Sequence, residues 1–143
     1  MTSTLTHPDT EPRSVVARRA AVIAGAVTAA ALAWVVIVPL LGTDVTVPES
    51  PSSDERVDLG IVPVVVMATL ASLAGWALLT VLERFTARAL TVWTVIAALV
   101  LVATMPWDAA FTGSERVALV ILHLAVGVPL ILGFRAVRRP TDR

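Results

Sequence analysis

Residues 117–132 read VALVILHLAVGVPLIL, and His123 is the one ionisable side chain in that run. An imidazole there can carry a proton, ligate a metal or haem iron, or act as a hydrogen-bonding group. Ser72, Thr28 and Thr69 are the polar residues of other apolar runs that could face it. Thr69, Ser72, Trp76, Thr80 and Glu83 follow steps of three, four, four and three, which places them on one helix face. His123 shares a face with Arg116, Val120 and Gly127. Counted from the Arg-flanked ends of their runs, His123, Ser72 and Thr28 lie eleven, ten and eight residues in. In helices these positions fall within roughly 5 Å of one another in depth.

No Asp or Glu lies inside the apolar runs to complete a proton relay. The expected arrangement is therefore a neutral His123 imidazole bonded to Ser72 or Thr28, acting as structural glue. Coupling to a proton or small solute is the sharper alternative. A haem or metal ligand is a third, but one such histidine per chain gives a bis-His site only across a dimer. No metal or cofactor is expected, and His7, in the polar N-terminal stretch, is expected to be inert.

The stretch 42–59, GTDVTVPESPSSDERVDL, holds five acids and one Arg. Clustered carboxylates can bind Ca²⁺ or Mg²⁺, but the Asp-x-Asp-x-Asp-Gly loop is missing. With two prolines among its hydroxyl residues, it reads as a flexible, solvated loop. The absence of cysteine excludes disulfides, thiolate metal sites and thiol catalysis. No nucleophile–base pair or paired carboxylates stand out, so an enzyme is not expected. A net charge of zero gives no basic field for nucleic acid.

The elements that must position these residues follow from composition. Of 143 residues, 57% are apolar, against roughly 45–50% in soluble domains, and mean hydropathy is +0.84. Four apolar segments span residues 20–41, 60–82, 89–105 and 117–134. Their lengths of 22, 23, 17 and 18 residues match the ~17–25 needed to cross a bilayer as a helix. They are several times longer than a strand and do not alternate apolar with polar. Helices satisfy their own backbone groups in lipid, so the expected fold is an all-α integral membrane four-helix bundle. The first run is longer than a signal-peptide core of ~7–15 residues and reads as a retained span.

Orientation can be counted. Nine arginines, including the anchors Arg18, Arg19, Arg84, Arg88, Arg135, Arg138 and Arg139, lie on the side of both tails and the 83–88 loop. Only Arg56 and Arg116 lie opposite, together with seven of the eleven acids. The positive-inside rule then predicts N-in, C-in in a bacterial cytoplasmic membrane, with Trp107, Phe85 and Phe134 as interfacial aromatics. Domain limits follow: a disordered cytoplasmic tail over 1–19, the transmembrane domain over 20–134 and a basic cytoplasmic tail over 135–143. The partners expected are the lipid bilayer and either a second copy or another membrane protein.

Small-xxx-small pairs, Ala21/Gly25, Gly25/Ala29, Ala68/Ser72 and Ala71/Gly75, predict close helix packing. Pro39 and Pro63 fall near span ends, whereas Pro129 removes the N–H that would bond the Ala125 carbonyl and predicts a kink. SLAGWALLTVLERF and HLAVGVPLILGFR are faintly alike, setting Ser72 opposite His123.

Three pieces are more specific: the PLLGTD exit from the first span, the GWALL..LER end of the second and LHL in the fourth. Through them, residues 17–139 resemble a family of small bacterial four-helix membrane proteins classed as a domain of unknown function, number 6069. The resemblance implies the four-helix fold and carries no activity, substrate or site residue. The function expected is an accessory or structural membrane protein that works through helix packing. A small transporter or sensor using His123 is the alternative.

Overall fold

The computed structural model describes residues 11–49, 55–106 and 113–137. Four helices carry the chain: α1 (Glu11–Val35), α2 (Ile61–Phe85), α3 (Ala89–Ala103) and α4 (Gly113–Ala136). A π-helical turn, Val36–Leu40, extends α1 around Pro39, which cannot donate to an α-helical ladder. Gly42, at φ +63°, then turns the chain away in the left-handed conformation that glycine adopts without strain. α1 packs on α2 and α4, α2 on α3, and α3 on α4, so the fourth helix closes the ring. Chain neighbours are antiparallel: Arg19 near the start of α1 meets Glu83 near the end of α2, and Trp93 and Leu101 of α3 meet Phe134 and His123 of α4. One end of the bundle carries the 41–60 connection. The other carries the start of α1, the α2–α3 turn and the end of α4, and is called the Arg end here.

Three helices, Val15–Leu40, Ile61–Phe85 and Gly113–Ala136, are long and apolar enough to cross a membrane. α3 is different. Its 15 residues extend about 22 Å, short of a hydrocarbon core of roughly 30 Å. Expected to reach Met105, it stops at Ala103: Met105 N–H turns back to the Val102 carbonyl at 3.3 Å.

The hydropathy pattern misplaces other boundaries. α1 begins at Glu11, so residues 11–19 of the expected disordered tail are helical. α4 begins at Gly113, four residues before its apolar run, and runs unbroken through Pro129. Hydropathy marks where lipid-compatible residues start, and polar residues extend a helix past that point. The expected flexible 42–59 loop contains an antiparallel hairpin, β1 (Thr46–Pro48) with β2 (Arg56–Asp58), in the register Thr46↔Asp58 and Pro48↔Arg56. His7, Trp107, Arg138 and Arg139 lie outside the described residues.

The core has two parts. Near the Arg end, Ile23, Ala26, Leu79, Trp93, Leu130 and Phe134 pack together. Trp93 and Phe134 meet edge-to-face with centroids 5.2 Å apart, a favoured aromatic geometry. Near the hairpin, Ile37, Val45, Ala118 and Leu122 form the second cluster. Phe134 is 1% exposed, which corrects its expected role as an interfacial aromatic. Phe85, 82% exposed, is free to take that role.

α1 buries Arg19, Ile23, Ala26 and Ala30, at steps of four, three and four. The small residues that line its inner face are thus Ala26 and Ala30. Ala21 and Gly25, expected to allow close helix packing, are exposed, and a Cβ on Gly25 would meet nothing within 4 Å. The close approach of α1 to α4 occurs instead at Gly133, where a Cβ would lie 2.5 Å from Val22 Cγ1.

Candidate functional site

His123 is half-buried on α4 and faces the end of α3. Its Nε2 lies 3.1 Å from the Leu101 carbonyl oxygen and 3.1 Å from Thr104 Oγ1. A carbonyl can only accept, so Nε2 carries the proton. The Thr104 hydroxyl gives its own hydrogen to the Val100 carbonyl at 2.7 Å and therefore accepts from His123. Leu101 is among the last four carbonyls of α3, which have no intrahelical donor. His123 thus supplies a side-chain cap to a helix that ends short. Leu101 also packs over Gly127, one turn along α4, where a Cβ would collide with its side chain. His123 and Gly127 do share a face, and that face is covered by α3.

The expected partners of His123 are elsewhere. Ser72 is fully buried at 0% exposure, and its hydroxyl has no hydrogen-bond partner among the described residues. Thr28 is exposed on the outer side of α1. Thr69 is half-buried and bonds its own helix, the Val65 carbonyl, at 2.7 Å. Thr80 and Thr94 also bond the carbonyl four residues back, whereas Thr28 bonds no described residue. His123 therefore bonds none of Ser72, Thr28 and Thr69. Position along each helix was legible in the sequence, but the rotation of each helix about its axis was not.

Of the expected anchors, Arg18, Arg84, Arg88 and Arg135 are exposed. Arg19 is not: at 4% exposure it forms a two-pronged ion pair with Glu83 of α2. The second prong, Arg19 Nη1 to Glu83 Oε2, is 3.2 Å. Glu83 lies one residue past the apolar run, and nothing in the local pattern points to a partner 64 positions away.

A second polar lock ties the hairpin to α4. Glu115, buried in the first turn of α4, accepts from Thr46 Oγ1 at 2.6 Å, Thr46 N–H at 3.2 Å and Arg56 Nη2 at 3.2 Å. Arg56 also donates through Nε to Thr46 Oγ1 at 2.9 Å and through Nη2 to the Thr46 carbonyl at 2.8 Å. Two tryptophans peg neighbouring segments: Trp34 to the Leu59 carbonyl and Trp93 to that of Gly75, each at 2.7 Å. Sequence reading missed all four contacts, because each joins residues far apart in the chain.

Among the described residues, no three His, Cys, Asp or Glu side chains cluster to hold a metal. The polar groups that converge fasten one helix or strand to another. No curated protein and no solved structure matches the chain. Residues 10–140 match DUF6069, a family of unknown function, and the chain belongs to that family.

Proposed function

We propose that this chain is a multi-pass membrane protein with both termini cytoplasmic, acting through association of α1 with a second copy of itself. The three long apolar helices and the nine-to-two arginine split support the membrane topology. The observation that carries the association is the outward face of α1. Ala21, Gly25 and Thr28 are exposed on it, Gly25 has open space above it, and the Thr28 hydroxyl bonds no described residue. Small residues let helices approach closely in lipid, and a hydroxyl in hydrocarbon gains from an interhelical bond. Self-complementary twofold contacts are the commonest way such a face is closed. No catalysis is invoked. Energy transfer between labelled copies in vesicles tests this: wild type associates and Gly25→Leu, which fills the open face, does not. A reporter active only outside the membrane, fused after Arg143, should stay silent.

A second reading is coupling of a proton or small solute, favoured by the Ser72 hydroxyl, which is wholly buried without a hydrogen-bond partner among the described residues. It requires that His123→Leu abolish flux in vesicles while the bundle stays folded.

A further inference from the structure

An open groove runs between α3 and α4 at the Arg end, lined by Leu90, Thr91, Thr94, Val95 and Arg135. Its volume of about 170 Å³ is below the ~300–1,000 Å³ of small-molecule pockets. A chain segment fits it better than a compact solute. Its floor is aliphatic, and the Thr94 hydroxyl is turned back onto the Leu90 carbonyl at 2.7 Å. Its mouth is cationic. Arg135 is exposed and forms no ion pair with any described residue. The first turn of α3 beside it carries no acid, so nothing there offsets the positive end of the helix dipole.

We infer that this groove holds an anionic phospholipid of the cytoplasmic leaflet, its phosphate at Arg135 and an acyl chain along Leu90 and Val95. The inference rests on the membrane topology proposed above. An apolar slot ending in an unpaired cation at the headgroup level is complementary to a charged lipid, and cytoplasmic leaflets are anionic.

The test is native mass spectrometry of the full chain in detergent, titrated with phosphatidylglycerol or phosphatidylcholine. Wild type should retain phosphatidylglycerol in preference to phosphatidylcholine. Arg135→Gln should reduce that retention roughly fivefold, the worth of one arginine at an anionic surface. Val95→Trp, which fills the groove and leaves the charge, should reduce it too, whereas Arg18→Gln should not. Excess inorganic phosphate should not displace the lipid. Equal retention of both lipids, an unchanged Arg135→Gln or Val95→Trp, an equal loss in Arg18→Gln, or displacement by phosphate each overturns the inference. A chain that fractionates without detergent defeats the membrane topology itself, a result distinct from a membrane-bound chain that ignores the lipid.

Discussion

His123 Nε2 donates to the Leu101 carbonyl across 3.1 Å, so a residue in the middle of α4 caps the end of α3. α3 is the shortest helix of the bundle, and its Leu101 carbonyl has no donor within the helix. The bond accounts for an imidazole in an apolar run without assigning it transport.

His123→Leu should therefore destabilise the bundle by about 1–3 kcal/mol, the cost of a buried acceptor left unsatisfied. Thr104→Val should cost less, because the Leu101 bond survives. The two effects should be less than additive, since both residues serve one cap. Denaturant titration in mixed micelles, followed by circular dichroism, measures all three variants.

Arg19 and Glu83 should behave as a buried pair. Removing the carboxylate, as in Glu83→Leu, leaves the buried Arg19 charge without it and should cost roughly 3–5 kcal/mol, and Arg19→Met should cost less. The double variant should recover most of that loss, because two apolar side chains leave no buried charge. The same titration reads both the loss and the recovery.

Glu115→Ala should release the hairpin and spare the bundle. Hydrogen exchange at 46–48 and 56–58 should rise well above wild type, while amides in the middle of α2 stay protected. The Thr46 and Arg56 bonds all converge on one Glu115 oxygen, so the effect should be local.

Two glycines should separate folding from association. Gly133→Leu drives a side chain into Val22, where even a Cβ would sit 2.5 Å away, and should destabilise the monomer by several kcal/mol. Gly25→Leu enters open space and should not lower monomer stability, since losing a mid-helix glycine adds about 0.5–1 kcal/mol. Thermal unfolding in detergent that dissociates any oligomer distinguishes them.

Helix number and the exclusion of a soluble core were legible in composition and run length, because hydrocarbon imposes both. Rotation and pairing were not. Ala21/Gly25 and Ala26/Ala30 are equally small pairs at the same spacing in one helix, and only packing shows that the second is buried. Ser72 and His123 are expected at similar depth, yet His123 bonds the end of α3 and Ser72 has no hydrogen-bond partner among the described residues. The hairpin escaped notice because its three-residue strands sit among acids and prolines. Its tie to α4 runs through Glu115, 69 positions from Thr46.

The most direct test of the central claim is a Thr28→Cys chain in native membranes, made possible because the protein has no cysteine of its own. Mild oxidation should convert it to a disulfide-linked dimer, whereas Leu70→Cys, also exposed but on α2, should stay monomeric. Crosslinking at Thr28→Cys no greater than at Leu70→Cys, or solely to a different protein, would contradict self-association through α1.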